Sequence, residues 1–229
     1  MQADGDRPWF PAALAALDLR RRDRLLAIDV GFAEAKALRT IVGRDGETVL
    51  VLRDRQTAER VAGFEWDGVR VLAHTVGGDE TFGSFDALLM APAVAPVLSV
   101  AACAELARRN LRLGGRFVFD LPAREMVPDL AAAWRTLAWP EAGLAPLVGV
   151  DESELADALR AGGLRQVHAA MASHLLAGDA PAELVATFAT SLGLGADEEV
   201  ELSHALLRQR ATAGPLQTLV HRTRIVGRR

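Results

Sequence analysis

Short apolar runs alternate with stretches in which apolar residues recur every three or four positions, and this alternation repeats along the chain. Residues 25–30, 48–52, 69–73, 85–91, 116–121 and 164–170 have the length and continuity of buried strands, and 216–226 reads as a last one. Helical spacing fills the gaps at 32–42, 55–62, 97–111 and 128–137, and again from Asp151 to the stop at Gly162-Gly163. An opening helix over 10–23 places Phe10, Leu14 and Leu17 on one stripe. Two further helices, 181–192 and 197–210, precede the last strand. Strands alternating with helices predict an α/β fold: a doubly wound, mostly parallel, seven-stranded sheet covered on both faces. The helical insertion at about 180–211 predicts a small helical cap over the sheet's ligand-binding edge. No repeat, low-complexity tract or long linker divides the chain, so one domain over 1–229 is expected.

Composition narrows the function classes. With 229 residues, half of them hydrophobic, the chain can build a sizeable core and is no collagen, disulfide scaffold or long disordered tail. No uninterrupted apolar run reaches about 18 residues, so no membrane span is expected. Residues 1–8 carry acids and lack an apolar core, so no secretory signal is read. Cys103 is the single cysteine, which makes the cytoplasm the expected compartment. The net charge of −4 argues against a nucleic-acid partner. Lys36 is the only lysine, a compositional bias rather than a phosphate-binding device. The Arg20-Arg21-Arg22-Asp23-Arg24 run reads as a solvated helix end rather than a contact patch. His74, His168, His174, His204 and His221 fall on separate elements without a helical ligand spacing, so no metal is expected. Cys103 lies in an apolar helical stretch and reads as a buried thiol.

Two motifs are more specific. Gly83-Ser84-Phe85-Asp86 leads into the fourth strand, and Leu111-Arg112-Leu113-Gly114-Gly115-Arg116-Phe117-Val118 follows the next helix. Asp151-Glu152-Ser153-Glu154-Leu155 later opens the helix before the sixth strand. This succession resembles the class I S-adenosylmethionine (SAM)-dependent methyltransferases over most of the chain, with Leu113 where their turn carries proline. The resemblance implies a Rossmann-like methyltransferase fold and SAM as the cofactor.

It also implies site residues. The family's first strand runs into Asp-h-Gly-x-Gly-x-Gly, which lets backbone approach the cofactor closely. Here the turn reads Asp29-Val30-Gly31-Phe32-Ala33-Glu34-Ala35. Asp29 and Gly31 match, while Ala33 and Ala35 replace the later glycines. Were both alanines left-handed, each would cost about 1–2 kcal/mol, together about a hundredfold in affinity. In a right-handed backbone the cost nearly vanishes. SAM binding is therefore expected, weakened if those positions are left-handed. Asp29 can support the ligand's positive charges or cap the next helix. An acid ending the second strand would grip the ribose; Asp54 is the candidate, although Arg53 can be the true strand end. That arginine can pair with an acid, meet an anionic substrate or stay solvated. After the third strand, His74 or Thr75 takes the adenine-contacting place, with Asp79 as a substitute. Met90, ending the fourth strand, can line the transfer site or pack the core. Asp120 can contact substrate or cap a loop, and Trp134 and Trp139 can line a pocket or pack a helix.

Two readings follow. One is a SAM-dependent methyltransferase acting on a small molecule, since methyl transfer needs positioning more than acid–base machinery. The other is a non-catalytic binding or assembly protein on the same fold, with a degenerate SAM site. A nicotinamide-dependent enzyme fits the Gly114-Gly115 turn and Asp29 less well. Self-association through the appended helices is compatible with the pattern, which fixes no interface.

Overall fold

The computed structural model describes residues 7–95, 98–175, 181–213 and 219–229. Seven strands form one sheet: β1 (Arg24–Ile28), β2 (Glu47–Leu52), β3 (Val69–Ala73), β4 (Phe85–Met90), β5 (Leu111–Pro122), β6 (Arg165–Leu175) and β7 (Leu219–Arg228). Their order is β3-β2-β1-β4-β5-β7-β6, with β7 antiparallel to both its neighbours and every other pair parallel. Helices α1 (Phe10–Leu17), α2 (Phe32–Val42), α3 (Arg55–Ala62), α4 (Val100–Asn110), α5 (Pro128–Thr136) and α6 (Glu152–Ala161) alternate with the strands. Helices α7 (Pro181–Leu192) and α8 (Ala196–Ala213) lie between β6 and β7. The doubly wound, mostly parallel sheet expected from the sequence is the sheet observed.

Burial explains the arrangement. Strands β1, β2 and β4 are almost wholly enclosed, as parallel strands covered on both faces must be. One core, containing Leu26, Val49, Leu88 and Phe119, lies under α4 and α6; another, containing Leu25, Leu50 and Val118, lies under α1, α2 and α3. A third joins α5, α7, α8, Trp9 and Val220. Consecutive helices therefore leave β1 and β4 towards opposite faces. That splay opens a crevice beyond the carboxyl ends of these strands, the place where open α/β sheets bind ligands.

Several bounds differ from the expected ones for identifiable reasons. Helix α1 stops at Leu17 because Asp18 is left-handed (φ 50°) and Asp23 then accepts a hydrogen bond from the Arg20 N–H at 2.8 Å. Strand β5 starts at Leu111, which pairs with Phe85 before a register shift carries the chain through Gly114-Gly115. Strand β6 runs on to Leu175 because β7 pairs with it that far. A 3₁₀ segment, Glu141–Leu147, has no counterpart in the sequence reading; Gly143 and Pro146 break its pattern. The expected starts at 97 and 216, and position 180 of the insertion, lie outside the described residues. Among the described residues, no helix is long and apolar enough to cross a membrane.

Candidate functional site

The crevice is built from the ends of β1, β2 and β4. Asp29 follows β1 and continues its ladder, its N–H donating to the Val51 carbonyl at 2.9 Å. Its φ of 53° is left-handed, a conformation that Asp tolerates better than most residues. The bend aims its carboxylate across the end of β2. One oxygen accepts from the Arg53 N–H and the other from the Arg53 guanidinium, both at 3.0 Å. Of the alternatives open for Arg53, the structure takes ion pairing.

Gly31 is extended (φ −81°, ψ 179°) and precedes the first turn of α2. Its open side is already covered. A Cβ built there would stand 2.4 Å from the Glu34 carboxylate and 3.3 Å from the Arg7 guanidinium. Glu34 is buried and pairs with Arg7 at 3.4 Å. Arg7 also donates to the carbonyls of Ala91 (3.0 Å) and Asp29 (3.4 Å), the backbone acceptors just past β4 and β1. Ala33 is exposed and Ala35 buried, both inside α2, and neither has a positive φ. The left-handed cost therefore does not arise.

The remaining sequence candidates are dispersed. Strand β2 ends on Leu52, an apolar residue only 2% exposed, so no acid stands at that end. Asp54 caps α3 instead. Its carboxylate accepts from the Thr57 N–H at 2.8 Å and from the Thr57 hydroxyl, which holds the carboxyl below its ordinary value. His74 is exposed and meets the Glu80 carboxylate at 3.1 Å. Thr75 is exposed beside it. Glu80 also accepts from the N–H groups of Gly77 and Gly78, so that loop is closed by its own acid. Met90 is 3% exposed within the core under α4.

Next to this crevice lies a charge network that the sequence does not disclose. Asp120 on β5 and Arg222 on β7 are both fully buried, with the Arg222 Nε 2.8 Å from the carboxylate. Arg222 also donates to the Pro92 (2.7 Å) and Ala93 (3.3 Å) carbonyls and lies over the Trp9 ring at 4.9 Å. Burial pushes its guanidinium down to about 10, so it keeps its charge at neutral pH. Arg224 completes the network, donating to Asp120 at 2.6 Å and to the Trp9 carbonyl at 3.1 Å. Asp120 is thus neither a substrate contact nor a loop cap. Arg7 and Trp9 enter the crevice from the chain's start, and no spacing rule could have placed them there.

Other candidates settle into structural roles. Trp134 packs edge-on against Trp139 at 4.8 Å and donates to the Pro140 carbonyl at 3.1 Å. Cys103 is buried, which pushes its thiol up to about 12. Among the described residues, no group of three or more His, Cys, Asp or Glu is placed to hold a metal. Asp86 of the Ser-Phe-Asp motif accepts from the Arg24 N–H at 2.8 Å and pairs with Arg112, fastening the opposite end of the sheet.

A SAM molecule brings an ammonium and a sulfonium. In this crevice the Asp29 carboxylate already holds a guanidinium, and the carbonyls past β1 and β4 hold another. The space over Gly31 is covered by Glu34, and Asp54, the acid that follows β2, is engaged in capping α3. These residues do not fit SAM in the arrangement present.

Solved structures share the fold. The YcgJ protein of Bacillus subtilis superposes with a TM-score of 0.62 at 18% identity, over 96% of this chain and 97% of that one. A putative methyltransferase from Haloferax volcanii, in complex with the Trm112 methyltransferase activator, gives 0.58 at 18% identity over 97% and 90%. A putative methyltransferase from Bacillus halodurans gives 0.59 at 10% identity over 95% and 96%. The chain has the class I methyltransferase fold. No protein-family model and no curated protein matches its sequence.

Proposed function

We propose that this chain is a methyltransferase-fold protein whose SAM cradle is closed by its own ion pairs, and that it acts as a non-catalytic binding or assembly protein. The observation that carries this reading is Arg7, whose guanidinium lies on the Asp29 and Ala91 carbonyls while its partner Glu34 covers Gly31. A cationic cofactor would have to evict one cation and approach another, Arg53. Hydrogen bonds to charged groups contribute about 1.5–3 kcal/mol each, so losing two would weaken a cofactor by a factor of about 10² to 10⁴. The mild acidity favours a small molecule or protein partner over a nucleic acid, self-association included. The lone cysteine agrees with a reducing compartment such as the cytoplasm.

Calorimetry of the full chain with SAM and with its demethylated product tests the reading. No binding heat at millimolar ligand is expected. Micromolar affinity, together with transfer of a labelled methyl group to any extract metabolite, would overturn it.

The second reading, a SAM-dependent methyltransferase acting on a small molecule, is favoured by the Asp29-Val30-Gly31 turn at the crevice of this fold. It requires Arg7 to swing out. Under it, Arg7→Ala tightens SAM binding at least tenfold. Under the first reading, the wild type binds no SAM at millimolar ligand, and only Arg7→Ala, which bares the Asp29 and Ala91 carbonyls, admits detectable binding.

A further inference from the structure

We propose that the cavity beside the β5–α5 connection is a binding site for a small amphipathic carboxylate: an apolar body inside, one monoanionic head at the mouth. This names a ligand class for the binding-protein reading, but at a different place from the Arg7 crevice, and it stands or falls separately.

The cavity measures about 370 Å³, at the lower end of the range of small-molecule sites. Its floor is apolar: Met126, Val127, Ala131, Leu144 and Leu147 line it and are themselves buried. The walls are fastened to each other. The Met126 N–H donates to the Leu147 carbonyl at 3.1 Å, and the N–H groups of Gly149 and Val150 donate to Ala123 and Pro122, both at 3.0 Å. Gly149 stands so close to the Pro122 carbonyl that a Cβ would lie 1.8 Å from its oxygen. Backbone bonded in this way cannot relax inward to fill the space, so the cavity is preformed.

Charge sets the head group. The mouth carries Arg124, Glu125, Arg135 and the half-exposed Val148. Arg135 is already neutralised between Glu125 (3.2 Å) and Glu141 (3.1 Å). Arg124 is different: its side chain is 73% exposed, and its ion-pair partner Asp151 stands 4.0 Å away. Asp151 caps α6 through one oxygen, which accepts from the N–H groups of Ser153 and Glu154, and only its other oxygen faces Arg124, beyond hydrogen-bond distance. Arg124 is thus the rim cation with most charge to offer, and a planar guanidinium matches a carboxylate in two parallel hydrogen bonds. Glu125 beside it would repel a dianion, which favours a carboxylate over a phosphate monoester.

Octanoate, octanol and octyl phosphate, titrated calorimetrically into the full chain, test the assignment. Octanoate should bind with micromolar affinity, and the other two at least tenfold more weakly. Arg124→Gln should weaken octanoate about tenfold. Val148→Trp, which plugs the mouth from an exposed position, should abolish binding. Both variants change surface residues and should keep the wild-type unfolding midpoint. Failure of octanoate to bind at millimolar concentration would overturn the proposal. So would octanol binding as tightly, octyl phosphate binding more tightly, or either variant leaving affinity unchanged. SAM titrations bear on the crevice alone and leave this result unaffected.

Discussion

Replacing Asp120 with Asn removes one negative charge from the centre of the sheet and almost nothing else. The carboxylate is fully buried and accepts from Arg222 at 2.8 Å and Arg224 at 2.6 Å. Without it, Arg222 remains fully enclosed, held by backbone carbonyls and the Trp9 ring but with no counter-charge. Three routes give a similar magnitude. Removing one partner of a buried ion pair typically costs about 3–5 kcal/mol. Two hydrogen bonds between charged groups sum to about 3–6 kcal/mol. Unit charges about 4 Å apart at an effective dielectric near 20 attract by about 4 kcal/mol. Asp120→Asn should therefore lose about 4 kcal/mol in urea denaturation and melt about 8–16 °C lower. The double variant Asp120→Leu, Arg222→Met should recover most of that loss, because apolar residues of similar size can replace a buried pair at little cost. Arg224 is 14% exposed at its side chain, keeps its bond to the Trp9 carbonyl, and can turn its charge towards water. A loss below about 1 kcal/mol in the single variant would refute the view that Asp120 is the counter-charge on which the buried Arg222 depends.

Asp54→Ala should cost about 1 kcal/mol in the urea midpoint by uncapping α3, and leave any response to SAM unchanged; a specific loss of SAM binding would instead favour the ribose role. Glu80 gives a pH prediction. Partial burial alone would raise its carboxyl, but the N–H groups of Gly77, Glu80 and Gly78 and the His74 ring outweigh burial and pull it down to about 2. The folded state thus favours the ionised form: its stabilisation is complete above the ordinary value of 4.5 and is lost as pH falls towards 2. Urea titrations across that window should lose about 1.5–3 kcal/mol more in the wild type than in Glu80→Gln, and parallel curves would contradict the assignment. Gly149→Ala drives a methyl into the Pro122 carbonyl and should cost about 3 kcal/mol or more. Gly114→Ala has open space and strains only its φ of 78°, for about 1–2 kcal/mol; equal losses in the two would be evidence against the close approach at Gly149.

The sheet was legible because its evidence is local. Leu25 to Ile28 and Ala87 to Met90 are apolar throughout because strands covered on both faces must be, and any reader of the chain sees that. Boundaries slipped where partners decide them: Leu111 joins β5 only because Phe85 lies beside it. The 3₁₀ segment carried no periodic signal, since Pro146 and Gly143 interrupt it.

The crevice divides along the same line. Asp29 and Gly31 could be placed from the strand–turn–helix pattern, and the alanine question could be posed but not answered without dihedral angles. What the pattern could not reveal is which cation meets which acid. Arg7 reaches Ala91 across 84 positions and Arg222 reaches Asp120 across 102, separations at which sequence spacing carries no geometry. Yet these long-range pairs, more than the missing glycines, decide whether a cationic cofactor can lie there. Ala33 and Ala35 sit harmlessly in α2, while Arg7, Arg53 and Glu34 occupy the acceptors and the open face. Restoring both glycines should therefore leave SAM unbound, because neither alanine touches the pairs that close the crevice. If Ala33→Gly, Ala35→Gly bound SAM at micromolar concentration by calorimetry while Arg7→Ala did not, the ion pairs would not be the obstacle, and the closed-cradle reading would fall with them.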